Sequence, residues 1–220
     1  MISIPVFSNL KLTLSKNPLI FVILYLLVLL ALRLYVAQFI LVSIDVVWRY
    51  FEASKILLGE RLYVDILTFQ SPFLVYFYVP AVYLAKPLSL DGLFVMQMYV
   101  LTLASMILLL VWRITSALFT RMPTLRNTLV AVFLAYAFLL IAGSGYMVGQ
   151  KSHLFLIFIS PYIFSVLARV YNVEIPSWIL IISGLLASLG SFIKPHYLVL
   201  ILLLEFYKYL RTQRIEILIH

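Results

Sequence analysis

Between residues 18 and 44 the chain carries a single charged side chain, Arg33, in a setting that is otherwise almost wholly aliphatic and aromatic. A helix needs about 20 apolar residues to cross a hydrocarbon core about 30 Å thick, so this stretch alone is long enough to span a bilayer. Five further apolar segments follow, at residues 93–112, 128–142, 153–168, 177–193 and 197–207. Water could not solvate such a surface: 65% of the residues are hydrophobic and 11% charged, with a mean hydropathy of +1.14. Soluble domains run at about 45–50% apolar and about 25% charged. The sequence predicts an all-α, polytopic transmembrane helix bundle of about six spans, built as a single membrane domain over residues 1–220.

Lys11 and Lys16 precede the first apolar run as they would in a secretory signal, but no small-residue cleavage site follows. The run continues past Arg33 to Ile44 and reads as an uncleaved first span. The segment at 72–85 is too short to cross easily, carries Pro80 in its middle and is rich in tyrosine, which suits a re-entrant or interfacial helix. Basic residues concentrate in cytoplasmic loops. If 72–85 does not cross, nine of the sixteen basic residues fall inside; if it does, everything after it flips and only five do. The expected topology therefore has six spans, both termini cytoplasmic, and residues 36–92 outside as one long loop. Residues 143–152 and the turn at 194–196 share that outer face. A plasma or inner membrane is the expected location.

Several chemistries fall away at this point. The chain has no cysteine, and His153, His196 and His220 are scattered without zinc spacing, so no metal site is read from the sequence. The net charge of +8 sits between apolar runs, where it sets topology beside membrane lipid. No nucleic-acid partner is expected.

Five of the eight acidic residues, Asp45, Glu52, Glu60, Asp65 and Asp91, lie in the long outer loop. Asp45, Arg49 and Glu52 recur at helical spacing beside Val46, Val47, Tyr50, Phe51, Leu57 and Leu58, so residues 45–58 read as an amphipathic interfacial helix ended by Gly59. An aspartate at a helix start has a plain role, capping backbone N–H groups.

The order Leu32-Arg33-Leu34-Tyr35, Asp45, Ala53, Leu57-Leu58-Gly59, Arg61-Leu62-Tyr63, Asp65 and Ser71-Pro72 resembles the first span and first outer loop of the GT-C membrane glycosyltransferases that use polyprenyl-phosphate sugars. The closest likeness is to the family related to dolichyl-phosphate-mannose protein mannosyltransferases. Gly184-Leu185-Leu186-Ala187 followed by Lys194-Pro195 is similar to a glycine-to-lysine-proline segment of the same enzymes. The resemblance implies that a sugar moves from a polyprenyl-phosphate donor to an acceptor at the outer face. Asp45 matches the family's catalytic acid, and Asp65, Lys151, His153, Lys194 and Arg33 are then the substrate-binding candidates. No cofactor beyond the lipid-linked donor is implied with certainty, although the family leaves room for a divalent metal.

Two departures stand against this. Many relatives carry an acid in the second outer loop, where this chain has Gly149-Gln150-Lys151-Ser152-His153, and family members are longer. The expectation is an N-terminal module that needs a second membrane subunit to supply missing helices. The alternative is a non-enzymatic bundle, transporter-like or an inactive remnant. The small residues Gly184, Ser188 and Ser191 are read as a helix-packing stripe, and the aromatics as a belt with lipid-facing packing.

Overall fold

The computed structural model describes residues 18–37 and 42–219. Among these residues eight helices follow one another: α1 (Pro18–Ala37), α2 (Ile44–Leu57), α3 (Pro72–Leu88), α4 (Gly92–Arg121), α5 (Arg126–Ile141), α6 (Lys151–Val170), α7 (Ser177–Ile193) and α8 (Leu198–Ile219). Short 3-10 turns at Pro123–Leu125, Gly145–Met147 and Pro195–Tyr197 join neighbours. The segments Pro18–Ala37, Gly92–Arg121, Pro123–Ile141 and Lys151–Val170 are each long and apolar enough to cross a membrane. Of the other two expected spans, α7 is apolar but has 17 residues, at the short limit of about 17–25. The last, α8, carries Glu205, Lys208, Arg211 and Arg214 along its length.

The first span does not reach the end of the apolar run. Ile44 already belongs to α2, whose N-cap is Ser43 and not Asp45. Asp45 sits one position inside the first turn, where its charge favours the positive end of the helix. Gly59, at φ 89°, takes the left-handed conformation just past the end of α2. Ser71 caps α3 with Pro72 in its first turn, and Asp91 Oδ1 accepts from the Phe94 N–H at 2.8 Å to start α4.

The helix stripes decide the packing. α1 buries Val22, Leu26, Leu29 and Arg33, spaced on one face, and leaves Leu19, Leu24, Leu27 and Val28 exposed. Its apolar window is 22% buried, against 50% for α4 and 72% for α6, so α4 and α6 form the centre and α1 the lipid-facing rim. Because lipid is as apolar as leucine, polar ties and close contacts hold such helices together. The Tyr25 hydroxyl donates to Leu134 O at 2.9 Å between α1 and α5, and Ser165 Oγ donates to Ser183 Oγ between α6 and α7. Gly190 lets α7 close on Phe155 and Phe158. Glu205 clips α8 to α6 by accepting from Tyr162 at 2.6 Å and pairing with Arg169, and Lys208 joins it at 2.8 Å.

The midpoint of α3 fixes its depth. The Tyr78 hydroxyl donates to the carbonyl of Gly149, which belongs to the connection between α5 and α6. The middle of α3 therefore lies level with the ends of the long helices.

Candidate functional site

α2 turns its charged pair inward and its large apolar side chains outward. Arg49 and Glu52 are 3% and 0% exposed, whereas Trp48, Phe51 and Val47 are open. The expected amphipathic helix is present, with Arg49 and Glu52 on its buried face and Asp45 exposed. Burial is tolerable because the charges are paired: Arg49 Nη1 meets Glu52 Oε2 at 2.7 Å, and Trp48 Nε1 donates to Glu52 Oε1 at 2.8 Å. Trp48, with its polar edge held and its ring exposed, suits a membrane interface.

The connection between α5 and α6 rests on the start of α2. Gln150 Nε2 donates to Ser43 Oγ at 2.7 Å, and Gly149, at φ 84°, is so close to α3 that a Cβ there would stand 2.9 Å from the Tyr78 hydroxyl. Lys151, the next residue after Gln150, is thereby brought beside the first turns of α2. Lys194 arrives from the end of α7, where Tyr197 stacks on Phe155 at 3.8 Å between centroids and Lys194 lies 5.7 Å from the Tyr197 ring. Arg49, Asp45, Lys194 and Glu52 all lie near enough to act on the Lys151 ammonium. Three cations against two carboxylates leave the cluster with one net positive charge.

Within this cluster only Glu52 and Arg49 are paired with each other. The carboxylate of Asp45 is exposed and makes no ion pair or hydrogen bond among the described residues. Half-buried Lys151 and Lys194 have no carboxylate partner among those residues either. An acid and two cations are thus held near one another without neutralising contact, an arrangement open to a ligand.

The remaining sequence candidates lie elsewhere or are already occupied. Asp65 stands in the turn after α2, where Arg61 Nε reaches it at 3.1 Å and the Arg61 N–H donates to it at 2.8 Å. These bonds hold its carboxyl below the usual aspartate range. Its other charged neighbour is Lys55, about 15 Å along α2 from Asp45. Asp65 is therefore not part of the cluster.

His153 is 4% exposed and both ring nitrogens are engaged: the Gly149 N–H donates to Nδ1 at 3.2 Å, and Nε2 lies 2.8 Å from Leu140 O. These contacts fix a neutral ring protonated on Nε2, which ties the Gly149 turn to α5 and leaves no nitrogen for substrate. Arg33 does not snorkel to an interface. At 1% exposure it points into the bundle, donating from Nη2 to Gly145 O at 2.9 Å and to Gln97 Oε1 at 3.4 Å, while Nε and Nη1 find no partner among the described residues.

Gly184, Ser188 and Ser191 do not form the close contact expected of them. That contact is made one position earlier, by Ser183, Ala187 and Gly190, which are buried. The three outer residues instead line a groove of about 530 Å³ between α6, α7 and α8, together with Tyr162, Phe192, Pro195 and Ile201. Pro195 follows Lys194 directly in the chain. Among the described residues no three His, Asp or Glu side chains gather in a group that could hold a metal ion. In comparisons with protein-family models, with curated proteins and with solved structures, nothing matched this chain.

Proposed function

We propose that the chain is a glycosyltransferase of the GT-C kind, or the N-terminal module of one, acting on a polyprenyl-phosphate sugar at the outer face of a plasma or inner membrane. Both termini are then cytoplasmic, and the end of the bundle carrying Asp45 faces outward. The observation that carries this reading is the Asp45 carboxylate, unpartnered among the described residues and near Lys151, which Lys194 also approaches. The acceptor hydroxyl oxygen attacks the anomeric carbon of the sugar and its proton passes to the Asp45 carboxylate. The bond from that carbon to the phosphate oxygen breaks, and the polyprenyl phosphate departs with the electron pair, its charge met by Lys151 and Lys194. The apolar groove lined by Pro195, the residue after Lys194, suits an isoprenoid tail continuous with a phosphate held at Lys194.

The test is transfer of radiolabelled sugar from a polyprenyl-phosphate donor in proteoliposomes, with any partner subunit that copurifies. Asp45→Asn preserves size and removes the base, so transfer should fall about 10²- to 10⁴-fold while membrane insertion is unchanged. Undiminished transfer by this variant would remove Asp45 as the base.

A further inference from the structure

Arg49 was not among the residues that sequence pattern marks as functional, yet its placement is hard to explain as structure alone. A helix at a membrane surface would ordinarily leave an arginine at the headgroup level, and α2 has an exposed face on which to do so. Instead Arg49 is turned into the protein, and its charge bears on Lys151, which the Gln150–Ser43 bond docks against the start of the same helix. Two cations kept close together raise the energy of the empty protein, and an anion between them removes that repulsion. Glu52 offsets only one edge of the guanidinium, through Nη1, and is itself held by the Trp48 indole N–H. The bond at Nη1 fixes the plane of the guanidinium and leaves the rest of its fork without a carboxylate among the described residues. A planar fork of this kind matches phosphate oxygens two at a time, which a lysine cannot do.

We propose that Arg49 grips the phosphate of the lipid carrier together with Lys151 and Lys194, and that Glu52, anchored by Trp48, is the positioning residue that aims it. This rests on the transferase reading and adds to it the specificity-determining contact for a phosphate headgroup. Asp45, one turn earlier on the same helix, is then fixed relative to the phosphate by the same rigid element.

The experiment measures binding of a fifteen-carbon isoprenyl phosphate and, separately, of inorganic phosphate to the full chain in nanodiscs. Arg49→Gln should weaken isoprenyl phosphate binding about tenfold to a hundredfold, the range of a charge-assisted contact, and flatten its salt dependence. Arg49→Gln leaves Glu52 buried without its cationic partner and so risks misfolding. The paired variant Arg49→Met with Glu52→Met removes both charges, should remain folded, and should bind as weakly as Arg49→Gln. Glu52→Gln alone should weaken binding less, and adding it to Arg49→Gln should cost nothing further, the non-additivity expected of a residue acting through another. Wild-type affinity in the folded Met pair would overturn the role of Arg49 and leave the transferase reading standing. Binding of neither phosphate by the wild-type chain would overturn both. Equal affinity for inorganic and isoprenyl phosphate, lost alike in the variants, would support the grip and overturn the lipid as its source.

Discussion

The hydroxyl of Ser43 receives the side-chain amide of Gln150 at 2.7 Å, although the two residues are 107 positions apart. The same oxygen accepts from the Asp45 N–H at 3.3 Å. One side chain thus caps α2 and docks the α5–α6 connection onto it, and the register of that docking decides how near Lys151 comes to Asp45. Ser43→Ala should cost about 1 kcal/mol for the lost cap and about 1 kcal/mol for the lost hydrogen bond. Gln150→Ala should cost only the second, and the double variant should be no less stable than Ser43→Ala. Thermal unfolding in detergent measures all three.

Gly149 and Gly145 both have positive φ, at 84° and 52°, but only Gly149 faces a wall. An added Cβ at Gly145 meets nothing within 4 Å, whereas at Gly149 it meets the Tyr78 hydroxyl. Gly145→Ala should therefore cost only backbone strain of about 1–2 kcal/mol, and Gly149→Ala distinctly more. Tyr78→Phe should recover part of the Gly149→Ala loss, since it removes the atom in the way. Melting temperatures of the four proteins give the order.

Asp65 and Arg61 make a pH-sensitive turn outside the cluster. The folded carboxyl lies below its unfolded range, near 3.9 for an ordinary aspartate. The stabilisation of the turn is thus fully present above that range and is lost as pH falls through the lowered value. A carbon-13 carboxyl titration should show Asp65 titrating low, and Arg61→Gln should return it to the ordinary range. Asp65→Asn should leave phosphate binding at neutral pH unchanged, because the residue lies along α2 from Asp45 and not beside it.

The helices were legible from sequence because the bilayer leaves few alternatives: an apolar run of sufficient length must satisfy its backbone internally. Punctuation was legible too, with Gly59 ending α2 and Pro72 opening α3. The inward turn of α2 was harder to read, since an Arg49–Glu52 pair at i, i+3 looks the same on a solvated face as in a buried one. The clue was the stripe of Val46, Arg49 and Ala53, whose flanking members are both buried. Arg33 and His153 were illegible for a different reason. Their burial depends on Gln97, Gly145 and the Leu140 carbonyl, partners supplied by other elements that no local pattern names.

Whether α3 crosses the membrane governs which side the cluster faces, and the level of Tyr78 bears on it. If α3 crossed, its midpoint would lie near the bilayer centre, yet Tyr78 bonds to Gly149 between the ends of α5 and α6. The chain has no cysteine, so single cysteines report cleanly. Phe69 precedes α3, Lys86 lies in its last turn, and both are exposed. Thr124 is exposed in the turn beyond α4, a helix about 45 Å long by its rise per residue. In sealed vesicles of known orientation, Phe69→Cys and Lys86→Cys should react with an impermeant maleimide from the same side, and Thr124→Cys from the other. On the proposed topology the side of Thr124, near the basic residues Arg113, Arg121 and Arg126, is the cytoplasmic one. Labelling of Phe69→Cys and Lys86→Cys from opposite sides would show that α3 crosses, and the cluster of Asp45, Lys151 and Lys194 could then no longer be assigned to the outer face by charge.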